Sequence, residues 1–195
     1  MSAQVLRIRL ALGRPAVTAA VAAAGSSAVA VLLFALITTA AYEWALTAFL
    51  AAAAAAIAVV DARTYRLPNR YVAALAAAGL VQSVAVAVAS NDAIRLLASL
   101  VAAAAVGSAY VLLGLVGWFG FGDAKFAGAL ALTVAIYAGL AAIYIVPVAI
   151  VLTAIWRLLF RTVGSVGGRH AHGPAIALSA IGVMVAAFLP SMPVA

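Results

Sequence analysis

The chain has no cysteine, and its 195 residues include only four acidic side chains: Glu43, Asp61, Asp92 and Asp123. The first absence excludes disulfides and thiolate metal sites. Charge of either sign is scarce, at 8% of residues, against about 25% in ordinary soluble domains. What fills the space is apolar: 69% of the residues are hydrophobic. A soluble globule of that composition could not show water a polar exterior.

The solvent that fits is lipid. A helix of about 20 apolar residues crosses a hydrocarbon core of about 30 Å. Cut at its charges, the sequence leaves long apolar runs at 15–42, 44–60, 71–90, 96–122, 126–156 and 173–195. They are continuous Ala, Val and Leu stretches, not the short alternating segments of a membrane β-barrel. The expected fold is therefore all-α, a polytopic transmembrane bundle of about six to seven helices, with 1–195 forming a single integral-membrane domain. Arg7, Arg9 and Arg14 precede small residues in the manner of a cleavable signal. Apolarity continues through Ala41, beyond the roughly 7–15 residues of a signal core, so a retained first helix is expected.

Residues 126–156 are long for one crossing and short for two. Two crossings, with a break near Gly139, place ten of the eleven Lys and Arg on one side and Arg95 alone on the other. That asymmetry is the topology signal of a cytoplasmic face. It also accounts for the net charge of +7; with no soluble basic domain to present a patch, no nucleic-acid partner is expected. The Ala-rich tract 51–56 suits close approach between membrane helices.

Carboxylates at membrane depth are costly, so each needs a reason. Glu43 lies between Tyr42 and Trp44 and reads as a solvated interfacial residue. Asp92 follows Ser90-Asn91, where it can cap a helix, and Arg95 lies three residues on. Asp61 and Asp123 differ. Asp61 closes one apolar run and is followed by Arg63, Arg66, Leu67, Pro68 and Asn69, where Pro68 stops a helix. Asp123 follows Gly120-Phe121-Gly122, glycines that permit unusual backbone angles and close approach. Singly, each could cap a helix or pair with a base; together they are a candidate pair for activating water without a metal.

Those residues carry a resemblance. The segment Asp61-Ala-Arg-Thr-Tyr-Arg-Leu-Pro68-Asn69 resembles the first catalytic motif of type IV prepilin peptidases, and Gly120-Phe121-Gly122-Asp123-Ala124-Lys125 resembles their second, Gly-x-Gly-Asp-x-Lys. His172-Gly173-Pro174-Ala175-Ile176-Ala177-Leu178 is similar to a Gly-Pro-x-x-Ala-Leu stretch that opens the last helix. The resemblance covers roughly residues 45–190. It implies an intramembrane aspartic endopeptidase of the compact, peptidase-only form, with Asp61 and Asp123 catalytic and Gly120, Gly122, Lys125, Pro68 and Asn69 supporting. The implied substrate is a prepilin-like or preflagellin-like protein with a short basic leader. Cleavage would fall on the cytoplasmic side of the cell inner (plasma) membrane, without cofactor or metal. The paired-Cys methyltransferase domain of many relatives is not expected in a chain without cysteine.

In the expected mechanism one aspartate, ionised, takes a proton from water while the other, protonated, supports the scissile carbonyl. Nearby carboxylates share a proton because both cannot easily ionise. Asp61 at a helix C-terminus and Asp123 at an N-terminus would make Asp123 the base and Asp61 the acid. Lys125 is either an interfacial anchor or a partner of Asp123. Arg63, Arg66 and Arg70 read as topology determinants. His170 and His172 are expected in a solvated loop, since two His without nearby carboxylates make a poor metal site. Gly173-Pro174 is expected to start a final helix from about Pro174 to Leu189. Two other functional classes fit less of the sequence. A small proton- or cation-coupled transporter or channel would use Asp61 and Asp123 near the bilayer midplane. A pilus-assembly scaffold would tolerate Asp→Asn at both.

Overall fold

A computed structural model describes residues 41–159 and 171–188. The expected first helix, with Arg7, Arg9 and Arg14, lies outside the described residues, as do Arg161, Arg169 and His170. The chain divides into two units, Met1–Phe49 and Leu50–Ala195. Of the first, only the opening of a helix is described.

The described residues form helices joined by short turns, with no strand among them. The elements are α1 (Ala41–Thr64), α2 (Asn69–Ala89), α3 (Ala93–Leu115), α4 (Phe121–Ala138), a 3-10 turn (Gly139–Tyr144), α5 (Ile145–Leu159) and α6 (Gly173–Phe188). The 3-10 turn joins α4 to α5, so the described residues form five helical stretches, four of them long and apolar enough to cross a membrane. The expected six to seven is a little off that count: it included the first helix, which lies outside the described residues, and it took α4 and α5 as separate helices.

Helix boundaries follow local chemistry. Asp92 caps α3, its Oδ1 accepting the Ile94 N–H at 3.0 Å, and its Oδ2 lies 3.3 Å from Arg95 Nε, as expected. Pro68 precedes the first residue of α2. Tyr65, in the left-handed region at φ 53°, ends α1 and turns the chain toward Leu67. Gly139, at φ 56°, ends α4 at the expected break; only glycine adopts that angle without steric cost.

Burial orders the helices. In α1, Leu50, Ala54, Ile57, Ala58 and Asp61 are buried, a helical stripe with Asp61 at its end. Helix α4 is buried nearly all round, from Ala124 through Ile136. It is the centre of the bundle. Gly128 lets α4 meet α3 closely: a Cβ there would lie 3.3 Å from the Ala103 carbonyl oxygen. Polar side chains also join helices, with Ser83 on α2 donating to the Leu132 carbonyl oxygen and Gln82 to the Tyr137 hydroxyl. Large apolar side chains such as Val88, Ile94, Leu97 and Leu112 face outward. In water that surface would drive aggregation; in lipid it is the natural exterior. The protein is a multi-pass membrane protein.

The stretch 121–158 folds back on itself. Phe119, just before α4, stacks on the His172 ring with centroids 4.1 Å apart, and Thr153 of α5 lies 2.6 Å from the same ring. A straight helix from Phe121 to Thr153 would separate those residues by about 48 Å. Reversal at Gly139–Tyr144 resolves this. The helices therefore alternate in direction, so the ends of α1, α3 and α5 and the starts of α2, α4 and α6 share one end of the bundle.

Candidate active site

Asp61 and Asp123 both belong to that shared end. Asp61 is buried, in the last turn of α1. Asp123 is half-buried, in the first turn of α4. They are near enough for the charge of Asp61 to act on Asp123. The loops that follow Asp61 and precede Asp123 meet at this end. The turn at Tyr65 delivers Leu67 against Gly122, where a Cβ would lie 3.3 Å from the Leu67 Cβ. Gly122 therefore supplies close approach. Unusual backbone angles do not arise at Gly120, whose φ is −87°; the left-handed glycine of this loop is Gly117, at φ 82°.

Each carboxylate accepts a backbone N–H at the start of a helix. Asp123 Oδ2 accepts from Gly120, three residues back, at 2.9 Å. Asp61 Oδ2 accepts from Gly173, the first residue of α6, at 2.8 Å. The N–H of His172 also acts on Asp61. This overturns the dipole argument for acid and base. Asp61 ends its own helix but sits against the positive N-terminus of another, so helix dipoles no longer distinguish the two carboxylates.

The residues expected to support the pair lie at the same end of the bundle. Lys125 is exposed and donates to Asn69 Oδ1 at 3.1 Å, linking the start of α4 to the start of α2. Pro68 is half-buried beside them. Arg63, Arg66 and Arg70 are exposed at the same end.

The expected solvated loop at His172 is corrected. His172 is 3% exposed. Tyr110 Oη lies 2.9 Å from its Nε2 and Thr153 Oγ1 2.6 Å from its Nδ1. Its ring stacks on Phe119, which in turn meets Tyr110 edge-on at 5.6 Å. Burial, with a smaller contribution from the charge of Arg157, holds its pKa down at about 4, so the imidazole is neutral at physiological pH. Tyr110, Thr153 and Phe119 carry no motif and were not singled out from sequence. A signal existed: a tyrosine inside an apolar run needs a partner for its hydroxyl, and a histidine beside Gly-Pro is one of only two in the chain.

Among the described residues, no three His, Cys, Asp or Glu side chains gather as a metal site. The donors present are suited to moving protons. The arrangement defines a class first: a multi-pass membrane protein with two carboxylates drawn together at one end of its bundle. Residues 48–160 match the model of the type IV leader peptidase family. That is more than half of the chain, which belongs to this family and is a protease. No curated protein and no solved structure matches it.

Proposed function

We infer that this leader peptidase is an aspartic endopeptidase in which Asp61 and Asp123 act on one peptide bond, removing a short basic leader from a prepilin-like or preflagellin-like substrate. The observation that carries this reading is the placement of both aspartates at one end of the bundle, Asp61 in the last turn of α1 and Asp123 in the first turn of α4. One carboxylate removes a proton from water as the oxygen attacks the scissile carbonyl carbon. The other, protonated, donates to the carbonyl oxygen. Collapse of the tetrahedral intermediate breaks the C–N bond: the departing amine takes the proton held by the first carboxylate, and the re-forming carbonyl group returns its proton to the second. The pair titrates as a unit, so either member can begin as base.

A cytoplasmic location of the site, in the inner (plasma) membrane, is supported by charge. Arg63, Arg66, Arg70, Lys125 and Arg157 lie on helix ends or loops at the aspartate end, while Arg95 opens α3 at the opposite end. Cytoplasmic loops carry such an excess of Lys and Arg. The transporter reading calls for carboxylates at mid-depth, whereas Asp61 and Asp123 lie in terminal helical turns. The substrate and lipid are the expected partners, with no cofactor in the chemistry.

The test is co-expression with candidate prepilins from the same genome, read by mass spectrometry of the pilin. The expected result is loss of the leader mass with the wild-type enzyme. Prepilins that all keep their leaders, or lose them equally without the enzyme, would contradict the reading.

A further inference from the structure

His172 is a buried imidazole that the aspartate chemistry does not use. Both of its ring nitrogens have a hydroxyl partner. Thr153 Oγ1, which also reaches the Ala149 carbonyl oxygen at 2.9 Å, lies 2.6 Å from His172 Nδ1, and Tyr110 Oη lies 2.9 Å from Nε2. The ring is held from both sides, by α3 through Tyr110 and by α5 through Thr153, and it is stacked on Phe119 at the entrance to α4. The next residue in the chain is Gly173, whose N–H reaches Asp61.

We propose that His172 is the positioning residue of the carboxylate pair, a clamp between Tyr110 and Thr153 that fixes the start of α6 so that the Gly173 N–H stays on Asp61. The inference rests on the peptidase reading of Asp61 given above. The charged and titratable groups around the ring are Tyr110 from α3, Arg157 from α5, Asp61 from α1 and, beyond Tyr110, Asp123 from α4. Without the clamp, α6 is free to withdraw its N–H from Asp61. Displacement of a reacting group by about 1 Å can cost about a hundredfold in rate.

The experiment compares wild type, His172→Asn, His172→Ala, Tyr110→Phe and Thr153→Val as purified full-length proteins in detergent, cutting a prepilin found by the co-expression test. Thr153→Val is the key second variant, because it keeps the side-chain shape and removes the hydroxyl on the far side of the ring from Tyr110. In folded protein the expected result is a kcat at least about tenfold lower, with KM within about twofold and the acidic limb of the kcat–pH profile displaced. Asn, which can still hydrogen-bond toward Thr153, should recover part of what Ala loses. A structural role alone would lower yield and melting temperature while the folded fraction kept wild-type kcat and pH profile; that result overturns the proposal. If the His172 variants do not fold, wild-type kcat and profile in both Tyr110→Phe and Thr153→Val overturn it equally. Wild-type protein that fails to cut, or Asp61→Asn that cuts, would overturn the peptidase reading and this inference with it. Normal cutting by wild type together with unaffected variants would overturn this inference alone.

Discussion

Gly173 donates its backbone N–H to Asp61 Oδ2 at 2.8 Å, joining residues 112 positions apart in sequence. The contact depends on glycine. A Cβ at position 173 would lie 2.8 Å from Asp61 Oδ2 and 3.1 Å from Asp61 Cβ. The helix that supplies the donor can therefore approach the carboxylate only without a side chain at its first residue.

Gly173→Ala is expected to push the start of α6 away from Asp61 and lower kcat by about a hundredfold. Gly182→Ala is its control, since a Cβ there meets nothing within 4 Å, and should cut at the wild-type rate. Steady-state cleavage of a prepilin by both variants, with circular dichroism to verify helix content, checks the pair. Equal activities would mean that the Asp61–Gly173 contact does not matter to the reaction.

Stability should fall in mild acid because of His172. The free imidazole has a pKa of 6.5 and the folded one about 4. Above pH 6.5 both states are neutral and the residue makes stability no more pH-dependent. As pH falls from 6.5 toward 4 the unfolded chain binds a proton that the folded chain does not, so stability drops, by on the order of 3 kcal/mol across the window. Melting temperatures in detergent between pH 4 and 8 check this. His172→Asn should show a flatter acid slope than wild type.

The α3–α4 contact should be intolerant of bulk. A Cβ at Gly128 already comes within 3.3 Å of the Ala103 carbonyl oxygen and 3.6 Å of the Gly107 Cα, and both are backbone atoms. Gly128→Val is expected to destabilise the bundle by about 1–3 kcal/mol, read as a lowered melting temperature in detergent. An unchanged melting temperature would show that the two helices can separate without cost.

The sequence made the carboxylates legible for a simple reason. In a chain this apolar, each charge stands out against its surroundings, so Asp61, Asp123 and the Asp92 cap could be singled out locally. The break at Gly139 was legible too, from the length of its run. His172 was not. Its partners Tyr110 and Thr153 lie 62 and 19 residues away, and no local spacing predicts that three helices will converge on one ring. Acid and base were assigned from the helix to which each aspartate belongs, whereas the dipole nearest Asp61 is that of α6.

The most direct test of the account is prepilin cleavage by Asp61→Asn and Asp123→Asn, each compared with wild type at matched folded protein. Asparagine keeps the size of the side chain and removes its ability to exchange a proton. Both variants are expected to lose cleavage to the background rate, since neither carboxylate can replace the other. Near-normal turnover by either one would contradict the claim that the two act together on the peptide bond.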